Sequence, residues 1–322
     1  MGKLIGKIAL FLAGILVLCC LCIVLSSCGG VFDDFFATVS SSEEYTPKEE
    51  TQKIDAINSA KETDNKYTKL IVGDSVSYFM FTQLQEYNDN YLIASTSRPF
   101  TMAGQYMVIK QFADSHPNAS EVYLFFSKDS WESVIDPQCG YQNTVVPFIE
   151  AGVYDELEDV TKQEIVDEYT VFFVNPLVVK LYYNSKMNHK LVLNTIIAYN
   201  EKILGKDCSK MYETTEGRLS PLSELYLQKT IDLCNEKGIS LHLMHDPLAD
   251  TDEKHAELEA EKQDFINSGY MDVAGDYFDS VIFYPEEQFV DGVHYGQSGE
   301  MQKDAIRDII NKTGLMTDLV VK

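Results

Sequence analysis

"KLIVGDSVSYFMF", residues 69–81, carries a short apolar run into Gly73-Asp74-Ser75 and then into a helix-like stretch in which Tyr78, Met80, Phe81 and Leu84 are spaced as one apolar face. A serine just past the carboxyl end of a strand is read in two ways. It is a nucleophile at the rim of a sheet, or it is the N-cap of the following helix. The rest of the chain has to decide between them.

Outward from this turn, strand-like runs alternate with helix-like ones. "NYLIAS" (90–95), "EVYLFF" (121–126), "ISLHLM" (239–244) and "DSVIFY" (279–284) are short, bounded and rich in β-formers. Between them, "AGQYMVIKQFADSHP" puts Tyr106, Ile109, Phe112 and Ala113 on one face. "SPLSELYLQKTIDLCNEKG" has Ser220 as cap, Pro221 in the first turn and Gly238 as stop. Alternation of this kind predicts an α/β fold with a parallel sheet and helices on both faces. In such sheets ligands sit outside the carboxyl ends of the strands, which is where Ser75 lies.

Residues 127–206 break the alternation and read as an insertion or lid. Their acidic "YDELEDVTKQEIVDEY" precedes the aromatic, apolar "VFFVNPLVVKLYYN", a buried helix or an amphipathic surface resting on a membrane. At the start, Lys3 and Lys7 precede "IALFLAGILVLCCLCIVLSS", uncharged and long enough at about 1.5 Å per residue to cross a hydrocarbon layer of ~30 Å. The cationic start predicts a cytoplasmic N-terminus, with the bulk of the chain extracytoplasmic at the cell membrane. "LSSC" followed by two glycines is similar to a bacterial lipobox. Residues 1–28 are therefore either a retained anchor or a lipoprotein signal with Cys28 as the lipidated residue. Residues 29–66 are polar and read as a stalk, leaving 67–322 as the folded domain.

Without Lys3 and Lys7, the remaining chain has 24 Lys and Arg against 50 Asp and Glu, a formal charge of −26. Nucleic acid is excluded as a partner on that balance, because phosphate binding needs clustered cations. Cys139, Cys208 and Cys234 are too few and too scattered for a disulfide framework or a thiolate metal site. His242 and His245 fall on opposite faces of their strand, so no metal site is read there. His245 and Asp246, at that strand's carboxyl end, are candidates for lining a pocket together with Asp74. No glycine-rich phosphate loop supports a nucleotide cofactor.

A serine nucleophile needs an imidazole to take its proton and a carboxylate to orient that imidazole. "DGVHYGQSG" (291–299) supplies both from one loop, Asp291 three residues before His294, ahead of a C-terminal helix with Ser298 as cap and Met301, Ala305 and Ile309 as its apolar face. With Gly73-Asp74-Ser75 at the first strand and Asp291-Gly292-Val293-His294 near the end, the chain resembles the SGNH (GDSL-like) hydrolase and acyltransferase superfamily.

That resemblance implies a flavodoxin-like three-layer fold over roughly residues 67–315. It implies Ser75 as nucleophile, His294 as general base and Asp291 as its partner, with the oxyanion held by the amides of Ser75 and Gly104. It departs at the third block, where the usual G-x-N-D is replaced by "FFSKDSW" (125–131), leaving Ser127, Lys128 and Ser130 as stand-ins for the asparagine. An anchored, exported chain lacking that asparagine is similar to the branches that include the D-alanyl transfer protein of teichoic-acid modification and the polysaccharide O-acetyltransferase domains. The implied activity is a serine-dependent ester hydrolase or O-acyltransferase acting on cell-envelope glycan or acylated polymer. It needs no cofactor and has a membrane-bound acyltransferase as partner. The alternative is a non-catalytic SGNH-fold protein that binds glycan or assists envelope assembly.

Overall fold

Gly73 ends a strand whose two neighbours decide where Ser75 is presented. The computed structural model describes residues 48–322, apart from 64–65, 98–100, 137–139, 185, 209–214, 216–218 and 297. The expected anchor, Cys28 and the first part of the stalk lie outside these residues, as does Cys139. Among the described residues no helix is long and apolar enough to cross a membrane.

In chain order, α1 (Lys48–Lys61) precedes β1 (Lys69–Gly73), and α2 (Ser75–Phe81) leads through a 3₁₀ turn to β2 (Tyr91–Ile93). Next come α3 (Met102–Ser115) and β3 (Glu121–Phe126). A helical excursion follows: α4 (Lys128–Glu132), α5 (Val146–Glu150), α6 (Asp159–Phe173), α7 (Pro176–Asn184) and α8 (Lys186–Lys202). The chain returns through α9 (Pro221–Lys237) to β4 (Ser240–His245), then β5 (Leu248–Ala249), α10 (Asp252–Ser268), α11 (Gly275–Ser280), β6 (Phe283–Tyr284) and α12 (Gly299–Thr313).

β1 to β4 form one parallel sheet in the order β2-β1-β3-β4, with Gly73 opposite Phe125 and Phe126 opposite His245. The alternation of side chains along these strands builds two cores. Leu70, Val72, Val122, Leu124 and Leu243 join α1, α3, α9 and the excursion on one face. Ile71, Tyr123, Phe125 and Met244 join α2 and the Ala305-Ile306-Ile309 stripe of α12 on the other. Helices therefore cover both faces of the sheet, an arrangement compatible with a three-layer sandwich.

Local signals place the helices as expected. The Ser220 hydroxyl accepts from the Ser223 amide, Pro221 occupies the first turn, and Gly238 closes α9 in the left-handed region at φ 68°. Ser298 caps α12 by accepting from the Met301 amide.

Two expectations need correction. The stalk does not run to residue 66: Lys48–Lys61 is a helix that buries Ile54, Ala56, Ile57 and Ala60 against α3 and α5. Its Lys53 is fully buried and donates to the Asn143 side chain, so a charged sequence hides a core face. "DSVIFY" is not a fifth strand of the main sheet. Asp279 and Ser280 end α11, and only Phe283–Tyr284 is extended, pairing with β5 in a separate two-stranded sheet. Ser280 explains the switch, since its hydroxyl donates to the Tyr277 carbonyl and accepts the His245 amide, capping the edge of β4 with a helix end.

Candidate active site

Three adjacent strand ends, those of β1, β3 and β4, place Asp74, Ser127 and Asp246 on one rim. Chain order reverses between β1 and β3, the switch point where α/β sheets open a crevice. Asp74, not Ser75, is the N-cap of α2: its Oδ1 accepts from the Val76 amide at 3.0 Å. The capping reading of Ser75 therefore falls away, because the serine occupies the first helical position and its side chain is left for other partners. The other oxygen of Asp74 accepts from the Ser127 amide (3.2 Å), the Ser127 hydroxyl (3.2 Å) and the Ser130 hydroxyl (3.1 Å). "FFSKDSW" thus anchors the nucleophile loop to β3 through Asp74.

His294 Nε2 stands 2.8 Å from Ser75 Oγ across 219 positions of chain, and its Nδ1 lies 2.7 Å from Asp291 Oδ2. The loop that delivers them is built locally. Phe289 and Tyr295 form an antiparallel bridge, the Val290 amide donates to the His294 carbonyl, and Gly292 turns the tip at φ 80°, a conformation that only glycine takes without strain. Asp291 Oδ1 accepts the amides of Val293 (3.1 Å) and His294 (2.9 Å), which locks the carboxylate before the ring reaches it. Partial burial pushes the Asp291 carboxyl upward. The His294 amide, the His294 ring and the Val293 amide outweigh it and hold the group below its ordinary value, ionised at neutral pH. α12 packs on α2, so the loop and the serine are brought together by the apolar faces of two helices.

Phe79 is a member of the site that the sequence reading misses. One turn after Ser75, its ring meets the His294 imidazole edge to face with centroids 5.3 Å apart. The i, i+4 spacing from the serine is the signal that marks it.

Beside this chain of hydrogen bonds lies a cavity of about 110 Å³ whose wall includes Ser127, Lys128, His245, Asp246, Lys254 and Val293. His245 and Asp246 are thus at the expected place. Asp74 is not in the wall but holds two of its residues, Val76 and Ser127. His245 Nδ1 lies 2.5 Å from the Asp246 carbonyl, while its Nε2 is 3.6 Å from Glu261, beyond hydrogen-bond length. Among the described residues no group of His, Cys, Asp and Glu is arranged to hold a metal.

The Asp246 carboxyl is fully buried, among the described residues neither oxygen receives an N–H or O–H, and it faces Asp74 within hydrogen-bonding reach. Two acceptors facing one another are bonded only if one carries a proton. Desolvation first, and the Asp74 charge and hydrogen bond second, push the Asp246 carboxyl well above its ordinary value, so the proton resides there. The consequence for stability has a definite sign. Between the ordinary carboxyl value and the raised native one, the native chain holds a proton that the unfolded chain has released, so stability falls as pH rises through this window. Asp246→Asn supplies a permanent donor to Asp74. It is expected to flatten that slope and to gain roughly 1–3 kcal/mol near neutral pH, with no gain in acid below both values. Urea melts of the two chains across this pH range check it, and a parallel slope in both would refute the shared proton.

Gly104 needs correction. Its amide donates to the Thr101 carbonyl at 2.7 Å and faces the Thr101 hydroxyl at 3.4 Å, inside the buried cap of α3. It is not an oxyanion donor in this arrangement. The Ser75 amide, at the first position of α2, belongs to the donors that a helix leaves without intrahelical partners.

No family model matches this chain, and no curated protein or solved structure is significantly similar to it. The residues themselves carry the functional argument.

Proposed function

We propose that this chain is a serine acyl-transfer enzyme of the SGNH type, a hydrolase or O-acyltransferase tethered outside the membrane and acting on ester-linked acyl groups of envelope glycan or polymer. The single observation that carries the reading is the continuous line Ser75–His294–Asp291, with both contacts at hydrogen-bond length. The sheet order 2-1-3-4, with the serine at its switch point, matches the first four strands of the flavodoxin-like order 2-1-3-4-5 and supports the same reading.

In the chemistry this supports, Ser75 Oγ attacks the acyl carbonyl while His294 Nε2 takes its proton. Asp291 holds Nδ1–H and steadies the imidazolium. The Ser75 amide stabilises the developing oxyanion, and such a donor is worth about 3 kcal/mol in the transition state. Collapse breaks the bond to the leaving alcohol, which receives the proton from His294. Water or a glycan hydroxyl then attacks the acyl-serine in the same way and restores the serine. Water gives an esterase and a hydroxyl acceptor gives a transferase.

A second reading has its own observation. The hydroxyls of Ser127 and Ser130 both bond to Asp74, so neither takes over as the missing third-block oxyanion donor. This favours a non-catalytic glycan-binding or assembly role on the same fold. One experiment separates the two. The purified full chain is treated with a fluorophosphonate probe, which traps an activated serine. Wild type should be labelled and Ser75→Ala should not. A wild type that stays unlabelled favours the second reading, and label retained by Ser75→Ala removes Ser75 from the mechanism.

A further inference from the structure

The junction of α6 and α7, "VFFVNPL" (171–177), exposes apolar side chains on either side of the buried Phe173. Val171 and Leu177 are each 73% exposed and Phe172 61%. Just before it, Thr170 takes φ 62°, ψ 156°, a backbone region that a β-branched residue occupies only when its surroundings force it. The surroundings do: the Tyr169 hydroxyl donates to the Asp136 carbonyl, Phe173 is buried, and the Tyr141 hydroxyl donates to the Phe173 carbonyl at 3.0 Å. One phenyl of the Phe172-Phe173 pair is thereby driven into the core and the other outward. Beyond α8, Ile203 and Leu204 are also exposed, and the Lys206–Glu168 ion pair fixes that segment beside the last turns of α6. Contiguous apolar exposure of this kind marks a contact surface.

Charge singles out the same segment. Residues 171–206 contain five lysines, one glutamate and no aspartate, a local balance of +4 in a chain of net charge −24. An acidic domain is repelled from an anionic bilayer, and this stretch is what would turn one face toward it.

The origin of the tether points to the same end of the domain. Chain enters the fold at α1, whose Lys53 donates to Asn143; two residues away, Tyr141 bonds the Phe173 carbonyl at the tip of the exposed turn. α1 packs on α5, and α5 packs on α7. Only 20 residues (28–47) separate α1 from the apolar run at 8–27. Even fully extended, 20 residues span at most about 70 Å, so α1 is the part of the described fold that the tether ties nearest the bilayer.

We infer that the 171–177 junction inserts into the surface of an anionic membrane, with the exposed Lys180 of α7 and Lys202 of α8 toward the headgroups, and so holds the domain in a fixed orientation. The inference rests on the tethered reading of residues 1–28 and is independent of the serine chemistry. It predicts that the domain does not swing freely on its connector: the insert is docked, and the rim bearing Ser75 is held at a constant height above the lipid.

The test uses the full chain reconstituted in vesicles of phosphatidylcholine with and without phosphatidylglycerol, with bromine on the acyl chains as a short-range quencher. Wild type has one tryptophan, the buried Trp131, which provides the baseline. In Phe172→Trp, the added emission is expected to lose roughly half its intensity in the anionic vesicles and less in phosphatidylcholine alone. Adding Val171→Asp and Leu177→Asp should abolish that quenching while circular dichroism and probe labelling at Ser75 persist. The inference is overturned if the introduced indole is quenched no more than that of Trp131 in vesicles that carry the chain on flotation, which is also the outcome if a second protein covers the turn. A chain that fails to float overturns it through the anchor, and labelling at Ser75 then shows whether the catalytic reading survives on its own.

Discussion

His294→Gln is expected to slow acylation of Ser75 by about 10⁴-fold or more, about 5.5 kcal/mol in the barrier, while the melting temperature stays near that of wild type. The size follows from what the imidazole alone supplies. At 2.8 Å from Oγ it is positioned to accept the serine proton during attack, and glutamine keeps the approximate shape but offers no base of matching strength. Stability should change little because the His294 side chain is partly exposed on a loop whose fold depends on the backbone bridge between Phe289 and Tyr295. Asp291→Asn should cost less, about 10²–10³-fold, since its carboxylate is 54% exposed and water can take over part of its role. Rate constants for fluorophosphonate labelling of the three chains check both. Wild-type labelling rates in His294→Gln would end the catalytic reading.

Much of this site was legible because two motifs carry their own chemistry. Gly-Asp-Ser after a strand and Asp-x-x-His before a capped helix need no knowledge of the fold to suggest a nucleophile and its base. Their separation in sequence is bridged by α2 and α12, whose apolar faces were also readable. The function of Asp74 was not legible, because its partners Ser127 and Ser130 reach it only once β1 and β3 are side by side. The same holds for the Asp74–Asp246 pair, which depends on β3 pairing with β4.

The misreadings share a physical cause, tertiary contacts overriding local pattern. α1 resembles stalk because its core face consists of two isoleucines, two alanines and a buried lysine that finds an amide partner. Gly104 follows β2 where analogy expects an oxyanion donor, yet the Thr101 cap claims its amide. "DSVIFY" has β-formers enough for a strand, but Ser280 bonds the edge of β4 and ends a helix there.

Gly73→Ala tests the joint on which all of this hangs. A β-carbon built at Gly73 would stand 2.5 Å from the Phe125 carbonyl oxygen and 2.9 Å from the Phe125 Cβ, and it would also overlap the Ser77 hydroxyl. The serine can rotate away, at the expense of its 3.0 Å bond to the Asp74 carbonyl. The Phe125 carbonyl cannot, because it belongs to β3 in register with β1, so the two strands have to part. Overpacking of this kind costs about 3 kcal/mol, which for a domain of this size lowers the melting temperature by about 6–12 °C. Parting the strands also loosens the grip of Asp74 on Ser127, so labelling of Ser75 should fall even at temperatures where the chain remains folded. Gly275→Ala is the control. Among the described residues no atom beyond its chain neighbours lies within 4 Å of its built β-carbon and its backbone is helical, so the same methyl group there should leave stability unchanged or raise it by about 0.5 kcal/mol. Equal melting temperatures for Gly73→Ala and wild type would mean that the β1–β3 contact is slacker than its geometry states, and that the serine's placement does not depend on it.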